Sequence, residues 1–340
     1  MKRIRVAING LGRIGRAFLK LAVKRSEIQL VAVNDLGDVN NLAYLLKYDS
    51  AYGQSGLAIE IRGDRLVIGG QEIIFLQEKE PAKLPWHDLA IDVAVESTGR
   101  FESYEAAKAH IDAGARKVVV SAPIKGEPVP GIPGATVLMG INEDKLATCQ
   151  ITSNASCTTN SASPVIQILH EGVGIEKAIL NTVHGYTATQ KLVDSPQAND
   201  FRRGRAAAAN IVPSTTGAAI AVTQAIPALQ DKFDGLAVRV PVLAGSIADI
   251  TFIARRGTTV EEVNRILKKA AGESRWQNIF SVTEEPLVSA DIVGSPYASI
   301  ADLALTKVVG GNLVKVMAWY DNEMGYTHTL VEHVIKTGQY

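Results

Sequence analysis

The residues best suited to covalent chemistry stand in one short polar run, Ser153-Asn154-Ala155-Ser156-Cys157-Thr158-Thr159-Asn160. An apolar helical period follows it (Ala162, Val165, Ile166, Leu169). Ser, Asn and Thr just ahead of such a period are N-cap residues, so Cys157 is expected in the first turn of a helix starting near Ser156. First-turn amides lack helical partners and carry the positive end of the helix dipole. Both favour the thiolate, which is the nucleophile. The hydroxyls of Ser156, Thr158 and Thr159 add donors for an anion. Taken alone, the run fits a small, inert, buried cysteine equally well. Of the six histidines, His184 ends a strand-like run at 178–183, beside the turn Thr187-Ala188-Thr189. His87, His110, His170, His328 and His333 have no supporting motif and read as surface or core.

A second constellation lies near the amino end. A β-branched run at 4–8 leads into Gly10, Gly12 and Gly15, spaced G-x-G-x-x-G. A helical period follows at once, with Ile14, Ala17, Phe18, Leu21 and Ala22 on one face. A second strand at 29–33 then ends at Asn34-Asp35. Strand, fingerprint, helix, strand and acid in this order describe a dinucleotide site. The glycines allow a tight turn and close pyrophosphate approach, the helix start receives the phosphate charge, and Asp35 accepts from the adenosine ribose.

The elements that must position these groups follow an α/β rhythm. Short alternating runs at 57–62, 65–68 and 72–76 read as antiparallel strands inserted in the first half. Strands at 93–96 and 117–121 flank a helix at 104–113, and 135–140 and 150–152 close this half. Ligands of open α/β sheets sit at the carboxyl ends of strands, which nominates Thr98, Gly99 and Ser121. In the second half, strands at 236–242, 247–254 and 313–320 read as long and antiparallel, with helices at 215–225 and 260–271 on one face. Residues 191–213 form a long polar loop, a length usually reserved for function. The fold class is therefore α/β: a Rossmann-type dinucleotide-binding domain plus an α+β catalytic domain with a mostly antiparallel sheet. The expected boundaries are 1–152, completed by the helix 323–340, and 153–322.

With 340 residues and 46% hydrophobic content the chain can build both cores, and 35 basic against 35 acidic residues argue against a general nucleic-acid binder. No apolar run reaches the length of a membrane span. Cys149 and Cys157, the two cysteines, show neither a disulfide scaffold nor zinc spacing, so no metal is expected and a reducing cytoplasm is the simplest location.

Val6 to Arg16, Leu46-Lys47-Tyr48-Asp49-Ser50, Ser153 to Asn160, His184 with Thr187 to Gln190, and Trp319 to Glu323 together resemble the phosphorylating glyceraldehyde-3-phosphate dehydrogenases. The resemblance runs the length of the chain and implies NAD-dependent oxidation of glyceraldehyde 3-phosphate with inorganic phosphate to 1,3-bisphosphoglycerate. It implies Cys157 as nucleophile, forming a thiohemiacetal and then a thioester, and His184 as base in an ion pair with the thiolate. Thr187, Thr189 and Arg239 match the site for the substrate phosphate. Ser156, Thr158, Thr216 and Gly217, with Arg202 or Arg203, match the site for the attacking phosphate. For the cofactor it implies Arg13, Ile14, Asp35, Lys79, Ser121, Asn322 and Tyr326, with Asn322 fixing the nicotinamide carboxamide. It also implies a homotetramer, the 191–213 loop packing across a subunit interface.

Three positions depart from the family pattern: Ser161 where a second cysteine is common, Gly185 where alanine is usual, and Met324 in place of a tryptophan. Asp35 disfavours a 2′-phosphate, and neither Leu36 nor Pro196 offers a donor to receive one, so NAD is expected over NADP. Two other readings stay open at this point. One is erythrose-4-phosphate dehydrogenase, against which the Thr187-Ala188-Thr189-Gln190 phosphate pattern stands; the other is a non-catalytic nucleotide-binding regulator.

Overall fold

The computed structural model describes residues 3–198 and 200–340. Met1 and Lys2, in the expected nucleotide half, and Asn199, in the long polar loop, lie outside the described residues. The chain divides into two compact units: the residues up to Ala155 together with Thr327–Tyr340, and Ser156–Tyr326.

The first unit is built on a nine-stranded sheet. Its order is Gly134–Thr136, Ile151–Ser153, Lys117–Val120, Val93–Glu96, Ile4–Asn9, Ile28–Asn34, Gln71–Leu76, Arg65–Ile68, Ile59–Arg62. The first seven run parallel, as their continuous Val/Ile/Ala runs require for burial on both faces. The last two turn back antiparallel, which is the inserted hairpin expected from their alternating pattern. Trp86 is fully buried against Ala7, Val31, Ala32 and Ala94. The closing strand Gly134–Thr136 is shorter than the run expected at 135–140: Asn142 instead accepts from Leu138 N–H and donates to Thr136 O. The terminal helix Met324–Gln339 buries Leu330, Val331, Val334 and Ile335. Within this unit its Glu332 pairs with Arg25 and its Lys336 with Glu143.

The second unit carries a seven-stranded sheet in the order Val212–Thr215, Phe233–Val240, Ile175–Gly185, Ser246–Ala254, Leu313–Tyr320, Ser299–Val309, Phe280–Thr283. It is mostly antiparallel, with two corrections to the sequence reading. Phe233–Val240 runs parallel to Ile175–Gly185, because a loop and the helix Ala218–Ala225 connect them as a crossover. That helix starts at Ala218, not near 215, because Val212–Thr215 is used as an edge strand on Phe233–Val240. Thr216 and Gly217 are thereby left in the short connection, with Gly217 as the N-cap. The helix Val260–Ala271 has the expected bounds, capped by Thr259 accepting from Glu262 N–H. Among the described residues no helix is long and apolar enough to cross a membrane.

Two fingerprint glycines do different work. A Cβ on Gly15 would lie 1.9 Å from Gly10 O, so the helix Arg13–Ala22 can sit against the turn only without one. A Cβ on Gly12 would meet nothing within 4 Å, so the protein itself leaves that space open. Gly15→Ala is expected to lower thermal stability and abolish dinucleotide binding together. Gly12→Ala is expected to hold its unfolding free energy to within about 0.5 kcal/mol of the parent while losing dinucleotide affinity. Thermal melts with calorimetric titration of NAD check this, and equal destabilisation by the two would refute it.

Candidate active site

The chain reaches the helix Cys157–Gly172 through a constrained turn. Ala155 holds φ +55° with no exposed surface, a left-handed conformation that costs alanine about 1 kcal/mol or more. Its N–H donates to Ser153 Oγ (2.9 Å), which donates to Ala122 O (2.6 Å). Ser156 is then the N-cap, its Oγ accepting from Thr159 N–H at 3.0 Å. Cys157 is the first helical residue, as the polar run requires, and is half-buried.

Cys157 Sγ lies 3.3 Å from His184 Nε2. His184 stands one residue before the end of Ile175–Gly185, with Nε2 aimed at the sulfur and Nδ1 2.6 Å from Gly185 O. The carbonyl calls for a proton on Nδ1, while a guanidinium, which can only donate, calls for a lone pair there, so Gly185 O and Arg239 pull the tautomer opposite ways. Arg239, the register partner of His184 on Phe233–Val240, donates from Nη1 to the same carbonyl at 3.1 Å. Its Nη1 is 2.6 Å from His184 Nδ1. Tyr320 closes the site from beneath, with its ring edge-on to the imidazole at 5.9 Å. Its hydroxyl is 2.9 Å from Thr158 Oγ1 and 2.7 Å from Thr182 Oγ1.

The electrostatics correct the expectation that the helix start by itself favours a thiolate. Burial is the largest effect and pushes the Cys157 thiol up, while Arg239 and the Thr158 amide and hydroxyl pull it down. Burial also pushes His184 down to about 3, and the Arg239 charge adds to that. Each ion alone is therefore disfavoured. Proton transfer from Sγ to Nε2 creates both at 3.3 Å, where their attraction is roughly 5 kcal/mol at an effective dielectric of about 20. That attraction is set against several kcal/mol of burial cost for each of the two ions, so the resting pair is neutral and holds one transferable proton.

The anion-site residues divide. Thr187 and Thr189 place their hydroxyls 2.9 Å apart at the surface. Ser156 Oγ is already the helix cap and Thr158 Oγ1 already meets Tyr320. Thr216 Oγ1 accepts from Ala218 N–H at 3.1 Å, and Gly217 is exposed with open space at its Cβ position. Arg203 donates to Ser214 Oγ (2.8 Å) and Thr215 O (3.3 Å), and its charge is felt by Arg239. Arg202 is exposed on the same short turn, Phe201–Gly204.

In the first unit, Gly10, Gly12, Asp35, Lys79 and Thr98 line one cleft of about 590 Å³. Gly12 caps the helix Arg13–Ala22 without a side-chain bond, and Ile14 lies in that helix's first turn. Asp35 is held by two amides, Oδ2 accepting from Leu11 N–H (2.7 Å) and Oδ1 from Gly37 N–H (2.8 Å). Gly99, at φ +69°, follows Thr98, and Ser121 Oγ donates to Ser97 Oγ at 3.1 Å. Arg13, at the helix start, is paired through its guanidinium to Asp49 (2.8 Å) and lies over Tyr52. The residues present suit a dinucleotide: an open glycine turn, an uncapped helix start and a fixed carboxylate. Beneath the cleft the buried Glu96 carboxylate accepts from Thr98 N–H and Oγ1, Asn9 Nδ2 and His110 Nε2. The Trp86 indole can only donate, and it donates to His110 Nδ1 at 3.0 Å, so the proton of His110 is on Nε2. Asn322 and Tyr326 belong to the second unit; Asn322 Oδ1 accepts from Ser246 Oγ at 2.9 Å.

The sequence reading passed over Tyr320 and Ser246. Tyr320 lies inside the Trp319–Glu323 motif, which is the only signal that could have found it; Ser246 has none. The shared proton gives a direct test. His184→Asn removes the acceptor and Arg239→Gln the nearest positive charge. Both are expected to move the pH profile of Cys157 alkylation by iodoacetamide upward and to slow it at pH 7 by about tenfold. An unchanged profile in His184→Asn would dissolve the pair.

Two family models match the chain. Residues 4–104 match the NAD binding domain of glyceraldehyde 3-phosphate dehydrogenase, and residues 156–322 match its C-terminal domain. The glyceraldehyde-3-phosphate dehydrogenase of Geobacillus stearothermophilus is 46% identical over 331 residues, 97% of this chain and 96% of that protein. That of Thermotoga maritima is 47% identical over 331 residues, covering 96% and 97% respectively. Glyceraldehyde-3-phosphate dehydrogenase 1 of Kluyveromyces lactis is 44% identical over 335 residues, covering 97% and 99%. This chain is a member of the glyceraldehyde-3-phosphate dehydrogenase family.

Proposed function

We propose that the protein oxidises glyceraldehyde 3-phosphate to 1,3-bisphosphoglycerate with NAD and inorganic phosphate. The observation that carries this is the Cys157–His184 pair, at 3.3 Å, beside the Arg239 guanidinium. Cys157 Sγ attacks the aldehyde carbon as its proton passes to His184 Nε2 and then to the new hydroxyl, giving the thiohemiacetal. Free of that proton again, Nε2 takes up the hydroxyl proton during oxidation. NAD, when bound, supplies the hydride acceptor. A thioester remains on Cys157; phosphate attacks its carbonyl and releases the acyl phosphate and the thiolate.

In this reading Thr187, Thr189 and Arg239 hold the substrate phosphate, and Ser156, Thr158, Thr216, Gly217 and Arg203 the attacking one. Arg203 is preferred over Arg202 because its charge reaches Arg239. Gly10, Gly12, Arg13, Ile14, Gly15, Asp35, Lys79, Thr98, Gly99 and Ser121 would hold the adenosine and pyrophosphate, and Asn322 and Tyr326 the nicotinamide end. Residues 1–152 with 323–340 would bind cofactor and 153–322 would catalyse, a division supported by the two compact units. The two free cysteines suit a cytoplasmic location.

NADH production from glyceraldehyde 3-phosphate, NAD and phosphate tests the reading. Turnover is expected to fall at least about 10³-fold in Cys157→Ser with NAD still bound. Replacing NAD by NADP should cut kcat/KM about a hundredfold. Better turnover of erythrose 4-phosphate, or residual activity near a tenth in Cys157→Ser, defeats it.

A homotetramer is part of the same proposal. The loop exposes Leu192, Val193, Phe201 and Ile211, and the sheet of the second unit exposes Ile179, Leu236 and Leu313. Apolar area of this extent points to cover by another subunit. Light scattering at micromolar concentration should give about four times 36.3 kDa, and a stable monomer rules the assembly out.

A further inference from the structure

Ser246 begins the strand Ser246–Ala254, between the end of Ile175–Gly185 and the end of Leu313–Tyr320. Its register partner is Tyr320, two residues before Asn322. The hydroxyl is almost fully buried and has two partners within 3.2 Å. One is the Gly185 N–H at 3.2 Å, and a backbone N–H can only donate. Ser246 Oγ therefore accepts there, and its single proton is left for Asn322, 2.9 Å away. A group receiving that proton must be the amide oxygen. The chain of donors thus runs from the Gly185 N–H through Ser246 Oγ to Asn322 Oδ1, and it leaves one orientation of the Asn322 amide.

We propose that Ser246 is a positioning residue, locking the Asn322 amide so that its Nδ2 is the end offered to the nicotinamide carboxamide. This rests on the reading that Asn322 anchors that carboxamide. A flipped amide would set the Nδ2 donor against Ser246 Oγ and leave the hydroxyl proton without its acceptor, a buried loss that the protein avoids. The backbone of Asn322 is fixed as well. Its neighbour Asp321, wholly buried, accepts from Gly294 N–H (2.7 Å), Glu323 N–H (2.8 Å) and Met324 N–H (2.9 Å). Only the amide plane is left to be set, and Ser246 sets it. The turn supplying Ser246 needs Gly245, at φ +86°, where a Cβ would lie 2.3 Å from Ser289 O. The peptide that starts the chain is the one joining the base, His184, to Gly185, so the base and the anchor share one fixed point.

Calorimetry with NAD and with ADP-ribose, which lacks the nicotinamide, separates this role from a structural one. Ser246→Ala is expected to weaken NAD about five- to tenfold and leave ADP-ribose unchanged. In an Asn322→Ala background the same change should add no further loss. Ser246→Cys keeps the shape but offers only a weak donor, and it carries the same test if Ser246→Ala does not fold. Equal weakening of NAD and ADP-ribose would mark Ser246 as merely structural and overturn the proposal. Unchanged NAD affinity in Ser246→Ala, with a loss in Asn322→Ala, would overturn the lock while leaving the anchor standing. Unchanged NAD affinity in Asn322→Ala would remove the anchor and the lock together.

Discussion

The catalytic unit depends on one contact, the 3.3 Å approach of Cys157 Sγ to His184 Nε2. The two groups come from different kinds of element, a helix start and a strand end, and each is held by the backbone behind it. Ser156 caps the helix, and the left-handed turn at Ala155 directs the chain into it. Gly185 O and Arg239 Nη1 hold the imidazole at its far nitrogen, Nδ1. The seven-stranded sheet supplies the rigidity. The parallel register of Ile175–Gly185 with Phe233–Val240 places Arg239 directly beside His184. That guanidinium eases loss of the thiol proton and opposes a standing charge on the ring. It therefore favours a base that is empty when the sulfur attacks.

The nucleotide-binding unit answers the same problem with a buried polar network. Glu96 gathers four donors under the cleft, and Asn34 ties the ends of two strands together, donating to Asn9 Oδ1 (2.7 Å) and Glu78 O (2.8 Å). Thr98, at the carboxyl end of its strand, is held twice by this carboxylate. The loops at the strand ends are the surface a dinucleotide meets, and a fully satisfied network keeps them in place where apolar packing could not.

Features written in local sequence were legible. The glycine spacing, the Ser156 cap, the helix Val260–Ala271 and the strand Leu313–Tyr320 each depend on a few neighbouring residues. Features set by distant partners were not. The parallel pairing of Phe233–Val240 follows from a crossover more than forty residues long, which no window of alternation can reveal. Burial of Cys157 opposes the helix-start effect read from its neighbours, because the surrounding walls come from Arg239 and Tyr320, over eighty residues away. Ser246 is an ordinary strand serine by sequence; its role exists only where three strands end side by side. The Arg13–Asp49 pair is hidden in the sequence for the same reason, since Asp49 lies beyond the next strand and helix.

Cofactor choice follows from how Asp35 is held more than from its presence. A carboxylate free to turn away could make room for a 2′-phosphate. Here both oxygens accept backbone amides, one from Leu11 in the glycine turn and one from Gly37. Turning the side chain would strand both amides, at about 1 kcal/mol or more each. The same glycine turn is tied a second time to this strand end, Gly10 N–H donating to Asn34 O at 2.8 Å. The acid that would repel a 2′-phosphate is thus also a structural member of the glycine turn. Deleting the charge would loosen that turn, so the loss of discrimination and the loss of general dinucleotide affinity are coupled. Asparagine, which sheds the charge, keeps an acceptor for only one of the Leu11 and Gly37 amides and turns a donor toward the other, so it too couples the two effects.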